Sequence, residues 1–209
     1  MPALKDKCNL CRREGEKLYL KGERCFTTKC AIIKRNYLPG VHGPSSQRQK
    51  VTDYGKQLRS KQAAKRLYGL NERQFSNYVS KAMKKRENTT EMLVNFLESR
   101  LDNVVYRLGI VTSRAAARQF VGHYFVKVND GKVNIPSYLV KPGDIITINQ
   151  TKINKKIINN VRERTKAKEV PSWLHFDKQK LEAKVIGKPE LVQGEKQIDL
   201  KNIIEFYSR

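Results

Sequence analysis

Forty-three Lys and Arg stand against 20 Asp and Glu in this 209-residue chain, a formal net charge of +23. That excess limits what the chain can fold into, because a compact body this basic repels itself unless a polyanion neutralises it. Nucleic acid is the first candidate partner and an anionic membrane surface the second. A small-molecule enzyme has no need of such a balance. The excess is also uneven. Residues 1–90 hold 22 basic and 7 acidic side chains, residues 91–169 hold 14 and 7, and residues 170–209 hold 7 and 6. Hydrophobic residues make up 39%, enough for modest cores, and the length fits one large or two small domains. The polar start, Met1 to Arg12, lacks the apolar run of a secretory signal. No stretch nears the roughly 18 apolar residues of a membrane span. A soluble, cytoplasmic protein is therefore expected.

All four cysteines fall in the first 30 residues: Cys8, Cys11, Cys25 and Cys30. Four are too few for a disulfide scaffold in a chain this long. Two close pairs separated by a short loop can converge on one tetrahedral centre. Thiolates favour Zn²⁺, and a 4Fe-4S cluster on the same four Cys is the alternative. Four unrelated thiols, or two disulfides, are the plainer reading. With every ligand supplied by protein, such a site is structural. Lys7, Arg12, Arg13 and Arg24 beside it would offset the negative charge of four thiolates.

Periodicity predicts a coarse order of elements. Residues 1–50 read as an irregular arm with its own organiser. Residues 54–68 read as a helix, and Asn71 caps another through about Lys85. Leu93, Leu97, Leu101, Val104, Val105 and Leu108 form one apolar stripe, predicting a helix over 91–108. Ser113 caps a shorter helix to Val121. Phe125 to Val128 alternate as a strand, Asn129-Asp130-Gly131 signals a hairpin, Val133 to Ile135 return, and Ile145 to Ile148 form a further strand. Residues 150–170 read as a basic linker. The run Ile203 to Tyr207 reads as strand-like and packs back on the body.

Three basic groups are expected to face nucleic acid. The knuckle and arm offer Arg12, Arg13, Arg35 and His42, the last in the glycine-flanked turn Pro39 to Pro44. The 54–68 helix offers Tyr54, Lys56, Gln57, Arg59, Lys61, Gln62, Lys65 and Arg66. Its charge is nearly all of one sign, which destabilises an isolated helix. Phosphates would remove that penalty, and a solvated charged face is the plainer alternative. The 91–150 module offers Arg100, Arg107, Arg114, Arg118, Gln119 and His123, with Lys127 and Lys132 on the hairpin. The competing reading pairs some of these Arg with Glu98 and Asp102. Three His in total, and no G-x-x-x-x-G-K-[ST], H-E-x-x-H or G-x-S-x-G motif, leave little for catalysis. No aromatic platform of the RNP kind is evident, so RNA shape rather than single-strand stacking is expected to dominate recognition.

Glu98, Arg100 to Asn103, Tyr106, Arg107 and Gly109, followed by Ser113-Arg114, Ala117 to Gln119, His123, Val128-Asn129 and Pro142 to Asp144, closely resemble the S-four RNA-binding domain. The flanks Pro39 to Gly43, Asp53 to Gln62, Tyr68-Gly69, Glu72 to Phe75, Trp173-Leu174 and Glu205 to Arg209 resemble bacterial-type small-subunit ribosomal protein S-four, in its four-Cys metal-binding form. Ser60, Tyr124-Phe125 and Asp130-Gly131 depart from the usual pattern of that family. The resemblance implies an α+β protein that is not an enzyme. Its parts are a four-cysteine metal knuckle and basic arm (1–45), a helical body domain (46–90), an inserted S-four RNA-binding domain (91–155), and a basic linker with a C-terminal segment completing the body (156–209). It implies primary binding of small-subunit rRNA at a multi-helix junction in the 5′ domain, early in assembly. It further implies contact with the small-subunit protein S-five and with mRNA where it enters the ribosome, an influence on decoding accuracy, and in some bacteria repression of its own operon mRNA. An RNA-modifying enzyme using the same domain as an anchor, and a zinc-containing DNA-binding regulator, are the competing readings.

Overall fold

The computed structural model describes residues 6–45, 52–85, 88–149, 155–167, 169–190 and 199–208. The chain divides into two compact units, Met1–Ser80 with Lys196–Arg209, and Lys81–Glu195. Each is taken in turn.

The first unit is helical. It begins with α1 (Lys7–Glu14), a 3-10 turn (Gly22–Phe26) and the short α2 (Ala31–Lys34). The helix α3 (Asp53–Leu67) follows, capped by the Thr52 hydroxyl, which accepts from the Gly55 N–H at 3.2 Å. Gly69, at φ +64°, makes the left-handed turn that lets α4 (Glu72–Met83) begin. Asn71 caps α4 as expected, accepting from the Gln74 N–H at 2.7 Å. The last element, α9 (Leu200–Tyr207), packs along α3. The run Ile203 to Tyr207, expected as strand-like, is thus helical. Leu200 and Ile203 are buried one turn apart, and the Asp199 side chain caps the helix by accepting from the Asn202 N–H at 3.1 Å. Phe75 and Val79 of α4 are fully buried, and Tyr207 packs 6.3 Å from Phe75, ring to ring.

The second unit is α+β. The stripe over 91–108 is not one helix. It forms α5 (Thr89–Glu98) and α6 (Leu101–Arg107), broken at Ser99 and Arg100. Arg100 is extended and bridges to Leu139. The Leu101 N–H donates to the Tyr138 carbonyl at 2.8 Å, and the Val140 N–H donates to the Ser99 carbonyl at 2.9 Å. The break therefore exchanges helical bonds for a splice to the 136–140 segment, while apolar spacing runs through it unaltered. Gly109, at φ +78°, ends this stretch. Ser113 caps α7 (Arg114–Gly122), accepting from the Ala116 N–H at 3.2 Å.

An antiparallel sheet packs with these helices, in the order β2-β1-β3-β5-β4 among the described residues. Its strands are β1 (Val126–Val128), β2 (Gly131–Lys132), β3 (Ile145–Ile148), β4 (Leu174–Asp177) and β5 (Glu182–Val185). Asn129 and Asp130 are both left-handed, at φ +47° and +63°, so the hairpin is closed by these two residues alone. The return strand accordingly lies at Gly131–Lys132 rather than at 133–135. The core joins Leu101, Val104, Leu108, Val121, Val126, Ile146, Ala183 and Val185.

Two further expectations are corrected here. Residues 150–170 do not form a linker, since Lys155–Ala167 is the helix α8, with Val161 and Thr165 buried. The segment 156–209 does not go to the body as one piece. β5 pairs with β3 and β4 with β5, so that stretch extends the sheet, and Lys196–Arg209 alone falls in the first unit. The alternation of Leu174, Phe176, Ala183 and Val185 carried the strand signal.

Candidate nucleic-acid interface

Three of the four arginines expected to form an RNA-facing patch on the second unit, Arg100, Arg107 and Arg114, are interior. Arg100 is fully buried, and its Nε and guanidinium NH2 donate to Asp102 at 3.0 and 2.6 Å. Glu98, also fully buried, accepts from Arg107 at 2.8 and 2.7 Å and from the Asn103 amide at 2.7 Å. The Asn103 Oδ1 in turn accepts from Arg114 Nε at 2.8 Å, and the Arg114 guanidinium lies 4.5 Å over the Tyr106 ring. The competing sequence reading, pairing with Glu98 and Asp102, therefore describes Arg100 and Arg107, and Arg114 joins the same network through Asn103. Guanidiniums held this way in a low-dielectric interior are committed to the fold.

What this unit presents to solvent is different. Gln119 and His123 of the α7 end are exposed and Arg118 is half-buried. On the hairpin, Lys127 stands directly across from Lys132 in the strand register. Neither forms an ion pair with another described residue. Like charges opposite one another on neighbouring strands cost stability, and an anion between them reverses the sign.

On the first unit the basic face of α3 is likewise largely tied down. Lys56 pairs with Asp53 at 3.0 Å, and Gln57 donates to Glu205 at 2.9 Å. Lys61 and Lys65 both reach Glu72 at 2.8 Å, and Lys61 also lies 4.4 Å over the Phe206 ring. Arg59 and Arg66 converge on Glu14 of α1, whose side chain is 1% exposed. Gln62 is half-buried. Tyr54 is 51% exposed, with its ring beside Phe206. Carboxylates from α1 and α4 thus relieve the like-charge penalty that the sequence assigned to phosphate. Burial would raise the Glu72 carboxyl, but hydrogen bonds from Lys61, Lys65 and Tyr207 outweigh it and bring it down to about 2. Burial and the Glu72 charge push the Tyr207 phenol up. Burial raises the Glu14 carboxyl, with Arg66 and Arg59 opposing.

In the knuckle, Cys8, Cys11, Cys25 and Cys30 line one pocket together with Lys7, Lys21 and Arg24. The Lys21 N–H points at the Cys25 sulfur at 3.4 Å, and the Leu18 N–H at Cys11. Burial pushes the Cys11 and Cys25 thiols up. All four cysteines are free thiols. Among the described residues no group of three or more His, Cys, Asp or Glu side chains converges closely enough to hold a metal ion. Arg12 is half-buried and reaches the arm. It donates to the Tyr37 and Leu38 carbonyls, each at 3.0 Å, and lies 4.6 Å over the Tyr37 ring. It fastens the arm to α1. The glycine turn serves the same fold, since a Cβ on Gly43 would collide with the Leu38 carbonyl. Arg13, Arg35 and His42 are exposed.

The chain thus comprises a small α+β unit with a cationic hairpin and a helical unit with a cysteine pocket. The matches to known families agree. Residues 4–98 match the "Ribosomal protein S4/S9 N-terminal domain" family and residues 99–146 the "S4 domain" family. The chain is 52% identical over 202 residues to small ribosomal subunit protein uS4A of Alkaliphilus metalliredigens, covering 97% of this chain and 96% of that one. It is 50% identical over 202 residues to uS4 of Halothermothrix orenii and 48% over 203 residues to uS4 of Thermotoga maritima, with the same coverage. The chain belongs to the ribosomal protein uS4 family, whose members are structural proteins and not enzymes. No helix of the described residues is long and apolar enough to cross a membrane.

Two outcomes follow from this geometry. Arg107→Ala leaves Glu98 buried without its main partner and is expected to cost about 3–5 kcal/mol of stability. Denaturant unfolding measures it, and a cost near zero would mean the guanidinium is not engaged. Glu72 has its folded pKa lowered from 4.5 to about 2. Its stabilisation is therefore complete above pH 4.5 and disappears as pH falls toward 2. The melting-temperature gap between wild type and Glu72→Gln should be widest near neutrality and close over that window. A gap independent of pH would contradict the assignment.

Proposed function

We propose that this protein is a structural constituent of the small ribosomal subunit in the cytoplasmic ribosome. In this reading it binds small-subunit rRNA early in assembly, at a multi-helix junction of the 5′ domain. The family membership supports the place, and the observation that carries the RNA contact is the Lys127–Lys132 pair. Where Arg59, Arg66, Arg100, Arg107 and the α3 lysines are neutralised from within, this hairpin keeps two like charges opposed where a phosphate can sit between them. His123 and Gln119 at the end of α7, and Arg13 and Arg35 on the knuckle and arm, are exposed donors that extend the same mode of contact. A-form RNA offers phosphates and 2′-hydroxyls rather than major-groove base edges, which suits rigid cations read by position. Contact with protein S-five and with incoming mRNA, the influence on decoding accuracy, and repression of the protein's own mRNA belong to the same reading and rest on family likeness.

The four cysteines are assigned to a structural Zn²⁺, with a 4Fe-4S cluster as the alternative. The all-thiol donor set, its gathering around one pocket, the N–H groups aimed at Cys11 and Cys25, and the cations Lys7, Lys21 and Arg24 support this. When bound, the metal would cross-link α1 to the 3-10 turn and the start of α2. Arg12 would carry that order to the arm.

Binding to a 5′-domain rRNA fragment should weaken with salt, with a slope of about −0.9 per neutralised phosphate. Lys132→Gln should flatten that slope by about one while leaving the free protein's melting temperature unchanged or slightly raised. A slope unaffected by Lys132→Gln would remove the hairpin from the interface. Replacing Cys8 and Cys11 by Ser should abolish bound metal and speed hydrogen exchange over residues 6–35, with the 88–149 segment unaffected. Metal retained at wild-type stoichiometry would refute the ligand set.

A further inference from the structure

Phe26 ends the 3-10 turn with 71% of its surface exposed, among the largest exposures of any apolar side chain in the described residues. It is held in place rather than loose. Its ring stacks on Tyr19, with centroids 5.0 Å apart and planes 28° apart. Tyr19 supports it from a left-handed backbone, φ +51°, a conformation that a bulky aromatic residue rarely adopts. Strain of this kind persists only where the surroundings enforce it, and it concentrates at binding sites. The surroundings here are firm. Leu18, next to Tyr19, is 4% exposed, and the Lys21 N–H to Cys25 sulfur bond closes the loop between the two rings.

The chemistry around the pair selects its occupant. Lys21, Arg24 and Lys29 are exposed on the same loop. The core of a protein–protein contact is depleted of charge, so an exposed ring set among three cations fits such a partner poorly. An aromatic face flanked by phosphate-binding cations is what an unpaired nucleotide requires, because every base has a face to stack and every linkage a charge to neutralise. We propose that Phe26, backed by Tyr19 and flanked by Lys21, Arg24 and Lys29, is a stacking platform for one unpaired base of the bound RNA. The inference rests on the rRNA-binding reading and adds a local stacking contact to the expectation that RNA shape dominates recognition. Most contact is to phosphate, and at this loop one base is read by its face.

The test uses the full-length protein and a small-subunit rRNA 5′-domain fragment. Phe26→Leu keeps the residue apolar and removes the stack. It should raise Kd about tenfold with the salt slope unchanged, because no phosphate contact is lost. Phe26→Trp should retain wild-type affinity, and its indole fluorescence should be quenched when RNA is added; Trp173, 4% exposed, supplies a constant background measured in wild type. Wild-type affinity in Phe26→Leu overturns the platform, and so does a loss in Phe26→Leu unaccompanied by quenching in Phe26→Trp, which would assign the ring a packing role. Failure of the wild-type protein to bind the fragment overturns the rRNA reading itself, a result distinguishable from either.

Discussion

Glu98 is the group on which the Lys81–Glu195 unit depends. It is the last residue of α5, where the helix dipole disfavours a negative charge, and it is fully buried. A carboxylate there is tolerable only if it is matched. Arg107 and Asn103 of α6 match it, and Asn103 passes the constraint to Arg114 at the start of α7. Three helices are thereby keyed to one another through a single polar cluster. Replacing such a cluster with apolar side chains can leave stability unchanged, whereas removing one member is costly. The cluster holds the first residue of α7, Arg114, to α6.

The same logic governs the Met1–Ser80 and Lys196–Arg209 unit. Glu14 gathers Arg59 and Arg66, and Glu72 gathers Lys61, Lys65 and the Tyr207 hydroxyl. Two carboxylates thus neutralise four of the cations on α3 and tie α1, α4 and α9 to it. A chain with 20 acidic residues against 43 basic ones cannot do this everywhere. Glu14, Glu72 and Glu98 stand where helices must approach one another. Exposed cations remain on hairpin, arm and loop, such as Lys132, Arg35, Arg24 and Lys29, and also on helices, such as Arg13, Arg73 and Arg162, where a polyanion can reach them.

The sequence revealed much of the architecture because several devices are local. Asn71 and Ser113 follow as caps directly from residue type, as the Thr52 cap does, and the hairpin turn follows from the Asn129-Asp130-Gly131 residue types. The break at Ser99 and Arg100 was not legible, since apolar spacing is continuous through it and the pairing partner lies near residue 139. α8 and α9 were misread because basic or β-branched composition outweighed a helical spacing that was present in both. For the site, counting cations indicated a polyanion but not which cations meet it. Arg100, Arg107 and Arg114 have the residue types and helical positions of a phosphate patch. Only the positions of Glu98, Asp102 and Asn103 in three dimensions show that they face inward. The tie that Arg12 makes to the arm is not legible for the same reason, because its acceptors are backbone carbonyls 25 and 26 residues away. The stacked pair of Tyr19 and Phe26 has no periodic signature at all.

The central claim is that this protein separates its cations into those that hold the fold and those that meet RNA. Lysine-modification footprinting, read by mass spectrometry on the full-length protein with and without a 5′-domain rRNA fragment, tests it most directly. Lys132, Lys29 and Lys21 should react readily in the free protein and become protected on RNA binding, while Lys61, held between Glu72 and Phe206, should react slowly in both states. Equal protection of Lys61 and Lys132 by RNA, or a Lys132 indifferent to RNA, would contradict it.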